Sequence, residues 1–115
     1  MDLTLFHITD DRQWPCAGEH YLPNTYSVDG FVHCSTAKQV LATAQRYFQG
    51  RDDLILLAIN TTMIEADIRY ENLIGGSELF PHIYGPIPCN AIESAEPLQR
   101  GADNEYLAPK MLHRG

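Results

Sequence analysis

Basic residues are scarce in this chain. Eight Lys and Arg stand against fifteen Asp and Glu, giving a formal net charge of −7 with histidines neutral. Holding a nucleic-acid backbone takes clustered Lys and Arg. The composition therefore excludes a general nucleic-acid binder, while a small phosphate-bearing ligand in a local pocket stays open. Long apolar runs are missing too. The longest, LILLAIN at 54–60, is strand-sized, far short of the roughly 18 to 20 residues that cross a bilayer as a helix. No membrane association is expected. The opening MDLTLFHITDD has neither a basic start nor a long apolar segment, so it does not read as a secretory leader. Cysteine is sparse and odd in number. Cys16, Cys34 and Cys89 show no CxxC spacing and read as reduced thiols of a cytoplasmic protein.

What is present suits one globular domain. The chain has 115 residues, 44% of them hydrophobic, enough for one core and too few for two. The expected domain spans 1–115, with its core at about 3–98 and a polar, partly flexible tail at 99–115. LTLFHIT at 3–9 alternates with the strand period of two. Leu3, Leu5 and His7 fall on one face, and Thr4, Phe6 and Ile8 on the other. Asp10 is placed to cap a short helix through Trp14, with Pro15 against it. YLPNTYSVDG reads as loop. FVHC at 31–34 is a short strand. Thr36 with Gln39 fits a capping box, with Ser35 as the competing cap. The next helix is expected from about Ser35 to Gln49, stopped by Gly50. Val40, Leu41, Ala44, Tyr47 and Phe48 form its buried stripe. DLILLAIN, apolar on both faces, is a central strand. TTMIEAD makes one helical turn, IRYEN a strand, and FPHIYGPIPCNAIESAEPL two short strands around a Gly-Pro corner. Strands outnumber helices and one helix dominates, so the fold class is α+β with mostly antiparallel, mixed sheets.

Three histidines sit in three apolar segments: His7, His33 and His82. Each alone reads as a core histidine bonded through one nitrogen. Together they suggest three strand ends converging on a site. A zinc site built from them lacks HxH or HExxH spacing, and no metal is assigned. Cys34 precedes a helix start, where a thiol can be activated. But His33 points to the opposite face of its strand, so Cys34 reads as buried and inert, packed beneath the helix. Glu78 reads as a solvated loop carboxylate.

FHIT at 6–9, DGFVHCST at 29–36 with the AKQV helix start, and ELFPHIYGPIP at 78–88 resemble the signatures of the domain-of-unknown-function family numbered 952. The resemblance covers about residues 3–98 and includes Trp14. That family is similar in fold to the ADP-ribosyltransferase-like superfamily, whose members bind NAD or an ADP-ribose group in a cleft between two antiparallel sheets. The resemblance implies that His7 takes the place of the first-strand residue that contacts ribose and nicotinamide. His33 and Ser35 fall at the strand-to-helix corner. The third position, usually a glutamate that orients the reacting ribose, falls near Phe80 to His82. His82 takes its place, or Glu78 reaches in from the loop, with Tyr84 nearby.

The implied function is binding of a nucleotide-like small molecule, NAD or ADP-ribose in type, with transfer chemistry weak or lost. The alternative is an active ADP-ribosyltransferase-like, NAD-cleaving or RNA 2′-phosphotransferase-like enzyme. Arg12, Arg46, Arg51 and Arg69 occupy no recognisable phosphate-gripping motif, which places the phosphotransferase last.

Overall fold

Period-two alternation near the N-terminus makes a strand, and the strands that pair with it build the larger of two main sheets. The computed structural model describes residues 2–16 and 18–114. Met1, Ala17 and Gly115, which the 1–115 span includes, lie outside the described residues. Strands are β1 (Thr4–Asp10), β2 (His20–Tyr21), β3 (Val32–His33), β4 (Leu54–Asn60), β5 (Asp67–Glu71), β6 (Phe80–Tyr84), β7 (Ile87–Pro88) and β8 (Ile92–Pro97). The helices are α1 (Tyr26–Asp29) and α2 (Val40–Tyr47). One sheet has the order β1-β4-β8, a second β3-β6-β5, and β2-β7 makes a small ribbon. Every named ladder is antiparallel. The class is α+β as expected. The mixed sheet that was also expected does not occur among the described residues.

β4 is central, as its apolar run required. It buries both faces. Leu54, Leu56 and Ala58 join Phe6, Ile8, Val40 and Ala44 in one core cluster. Leu57 and Ile59 join Leu5, Val32, Ile83 and Ile87 in the other. The β1 alternation sorts as read, with Phe6 and Ile8 toward the helix and Leu5 toward the second sheet. Two hydrogen bonds between Phe6 and Ser35 backbones, at 2.8 and 2.7 Å, tie β1 to the chain just after β3.

α2 starts later than its sequence pattern suggested. The Gln39 side-chain carbonyl accepts from the Thr36 amide at 3.1 Å, which is half of a capping box. Residues 36–39 nevertheless form a turn, and the helix proper begins at Val40. Ser35 is occupied by its bridge to Phe6. Val40 and Ala44 are fully buried, with Leu41 and Phe48 packed against the same core. Tyr47 departs from the stripe and is 56% exposed. Gly50, at φ +86°, reverses the chain after the helix, a conformation that favours glycine.

Other segments differ from the sequence reading. Asp10 caps a turn and no helix: its Oδ1 accepts from the Arg12 and Gln13 amides. The loop at 21–30 contains α1. Cys16 and Cys89 form a disulfide, so reduced thiols are corrected for that pair. They lie too far apart in sequence for any short motif to reveal the pairing. Cys34 is the free cysteine. It packs with Val32 and Leu57 in the second cluster, which corrects its placement beneath the helix. The tail is pinned at two points. Tyr106 and Met111 are buried in the helix-side core, and the Tyr106 hydroxyl reaches the Phe48 and Arg51 carbonyls at 2.6 and 2.8 Å.

Candidate functional site

Antiparallel pairing places His33 directly opposite His82. Their ring centroids are 5.5 Å apart. Phe31, just before β3, fills the corner between them. Its ring stacks on His82 at 4.1 Å and lies 4.6 Å from His33 and 5.2 Å from Tyr84. Each histidine has a carboxylate behind it. His33 Nε2 donates to Asp29 at the end of α1, at 2.8 Å. His82 Nδ1 donates to Glu71 Oε1 on β5 at 3.0 Å. The Tyr84 hydroxyl donates to the same Glu71 oxygen.

These contacts set proton positions. A carboxylate accepts only, so the donating nitrogen carries the proton and the other nitrogen of a neutral ring is an acceptor. Among the described residues no protein group takes His82 Nε2 or His33 Nδ1. Among the described residues no buried side-chain nitrogen or oxygen lacks a partner, so His82 Nε2 faces accessible space although the residue is only 6% exposed. The Tyr84 hydroxyl, then His82, holds the Glu71 carboxyl below the usual carboxylate range. The Tyr84 phenol is pushed up by the same contact.

His7 plays a different part. Its Nδ1 donates to the His33 carbonyl at 2.6 Å, and its Nε2 accepts from the Tyr21 hydroxyl at 2.9 Å. The Tyr21 and Thr9 hydroxyls are 2.8 Å apart. Both His7 nitrogens are therefore committed to the protein. Burial pushes its pKa down to about 4, so the ring is neutral at pH 7. His7 braces β1 against the β3 corner. Burial also pushes the Cys34 thiol up, which keeps it protonated and unreactive.

These groups border one cavity of about 460 Å³. His7, Phe31, His33, Ser35, Glu71 and His82 all line it. Thr9, Asp10, Gln13, Phe48 and Arg51 also line it, and Asn72, Leu73 and Ile74 come from the loop after β5. Ser35 is buried, its hydroxyl 3.4 Å from that of Thr43. Tyr84 stands behind Glu71. Glu78 does not line this cavity. It accepts from the Gln39 side chain at 3.2 Å beside a minor hollow. Among the described residues no group of three or more His, Cys, Asp or Glu is placed to hold a metal ion.

A family model described as "Protein of unknown function (DUF952)" matches residues 8–95. The chain belongs to the DUF952 family. No curated protein matches the sequence. Among solved structures it is similar to protein CC0527 from Caulobacter crescentus. The crystal structure of CC0527 is 26% identical, covers 96% of this chain and 98% of its own, and superposes with a TM-score of 0.82. The solution NMR structure of CC0527 is also 26% identical, covers 99% and 97%, and gives 0.75. The DUF952 match contains all four residues of the two histidine–carboxylate pairs, and His7 falls one residue ahead of it.

Sequence reasoning singled out His7, His33, Ser35 and His82, and the fold of this DUF952 chain brings them to one cavity. It overlooked Glu71, Asp29 and Phe31. IRYEN presents Glu71 as one more charged residue at a strand end. Only the β5–β6 register, with Glu71 opposite Phe80, sets it diagonal to His82. Asp29 had a signal: it lies four residues before His33, within reach if the DG turn folds back.

Proposed function

We propose that this cavity binds a nucleotide-like ligand of the NAD or ADP-ribose type. The aromatic ring would lie against Phe31, His33 and Tyr47, which line the cavity, and ribose hydroxyls would face Glu71 and His82. The observation that carries this reading is the Glu71–His82–Tyr84 cluster backed by Phe31, facing a cavity large enough for a ring and a sugar. Apolar walls with a few convergent polar groups are typical of small-molecule sites. The resemblance to the ADP-ribosyltransferase-like superfamily supports the same ligand class. So does a lining drawn from β1 and from all three strands of the β3-β6-β5 sheet.

Glu71 also favours a second reading, in which ADP-ribosyl-type transfer or NAD cleavage occurs here. A carboxylate held against ribose stabilises the positive charge that develops as the glycosidic bond breaks. In this reading Glu71 takes the part that the resemblance implies for His82 or Glu78. The acidic lining and the absence of clustered Lys and Arg weigh against a 2′-phosphotransferase.

The test is an NMR titration of amide shifts with NAD and with ADP-ribose, on wild type, Glu71→Gln and Glu78→Gln. Shifts should centre on Phe31, His33 and His82. Glu71→Gln should weaken binding roughly tenfold, the value of one charge-assisted hydrogen bond. Glu78→Gln should bind like wild type. Binding that ignores Glu71, or no binding at millimolar ligand, would sink the proposal. NAD turnover that collapses in Glu71→Gln would establish the second reading.

A further inference from the structure

We infer that the cavity accepts a ribosylated heteroaromatic ring, neutral or cationic, and leaves phosphate groups outside. This rests on the reading of the cavity as a nucleoside-type site. The charges around the cavity point this way. Among the described residues it is lined by three carboxylates, Asp10, Asp29 and Glu71, and by a single guanidinium, Arg51, with no lysine.

Arg51 is the natural phosphate receptor, and three of its five N–H groups are already committed to carboxylates. Its Nε donates to Asp53 Oδ1 at 2.9 Å, and Nη2 donates to Asp53 Oδ2 at 2.6 Å and Asp10 Oδ2 at 3.1 Å. Two N–H groups on Nη1 remain. A phosphate approaching them meets two carboxylates around one cation, so the local charge repels it. His82 already gives its Nδ1 proton to Glu71 and His33 its Nε2 proton to Asp29, so neither of these N–H groups is left for a phosphate, which needs donors. The same features suit other ligands. Ring faces and carboxylates receive an aromatic cation and hydroxyl donors. A diphosphate compound would then insert its ring and sugar and keep its phosphates in solvent.

The experiment compares each nucleoside with its own 5′-monophosphate at pH 7.5, by NMR titration. The pairs are adenosine with adenosine monophosphate, and nicotinamide riboside with nicotinamide mononucleotide. The expected result is binding of at least one nucleoside, with its 5′-phosphate weakening the interaction about tenfold or more. A monophosphate that binds as well as its nucleoside, or better, overturns the inference and leaves the nucleoside-type reading standing. No binding by either member of either pair overturns both. Asp53→Asn lies outside the cavity lining and releases part of the hold on Arg51. It should narrow the gap between nucleoside and monophosphate. An unchanged gap in a folded Asp53→Asn variant would overturn the role given to Arg51 and its carboxylates.

Discussion

His7 links the stability of this protein to pH. The unfolded chain takes up a proton on this residue near its ordinary value of 6.5, and the folded chain only near about 4. Between those values the unfolded state binds more protons, so stability falls as pH falls. The loss begins near the upper value and is complete below the lower one. From pH 7 to pH 5 it should amount to about 2 kcal/mol from this residue. Urea unfolding at the two pH values measures it. His7→Gln should be less stable at pH 7 yet lose less on acidification, and an equal loss in both proteins would refute the assignment. His7 was legible in the sequence as a member of the site, but its role was not. Alternation told which face it occupies. It could not tell that Tyr21 and the His33 carbonyl would use both nitrogens, because those partners lie 14 and 26 residues away.

Among the elements, strands were more legible than helix ends. β1, β4, β5 and β6 follow from runs whose apolar pattern decides their burial. α2 was legible through Val40, Leu41, Ala44 and Phe48, while its start was obscured because Ser35 and Thr36 serve a bridge and a turn before the helix. The tail was the least legible element. Its polar composition hides two anchors, Tyr106 and Met111. The Tyr106 hydroxyl accepts from the Arg51 amide at 3.1 Å besides reaching the carbonyls of Phe48 and Arg51. It thereby fixes the turn between α2 and β4, where Arg51 borders the cavity. Tyr106→Phe removes all three contacts, leaving the Arg51 amide and the Phe48 carbonyl only their mutual bond at 3.2 Å, and should cost about 1–3 kcal/mol. Equilibrium unfolding checks this, and a change within error would show that the tail does not hold the turn.

For the molecule as a whole, the Cys16–Cys89 bridge spans a sequence separation of 73 residues. It ties the segment before β2 to the turn before β8, so it encloses both histidine–carboxylate pairs. Restricting so long a loop in the unfolded chain stabilises the native state by about 4 kcal/mol in the chain-entropy account. Reduction should lower the urea midpoint accordingly. An unaltered midpoint after verified reduction would count against any such contribution. Cys34 should resist alkylation until the chain unfolds, since it is buried and its thiol stays protonated.

The central position of β4 also governs the fate of the unfolded chain. LILLAIN has no charge and no proline, and its side chains fill the core from both faces. In the native state β1 and β8 occupy both of its edges. Once they separate, the same seven residues become an aggregation-prone segment able to pair with its counterpart in another molecule. Arg51, Asp52 and Asp53 stand directly ahead of it as charged gatekeepers. Replacing Asp52 and Asp53 with asparagine removes two of those three charges and lowers the net negative charge of the chain. Once unfolded in urea at neutral pH, the Asp52→Asn, Asp53→Asn chain should self-associate more readily than wild type, and equal light scattering from the two would refute the gatekeeper role.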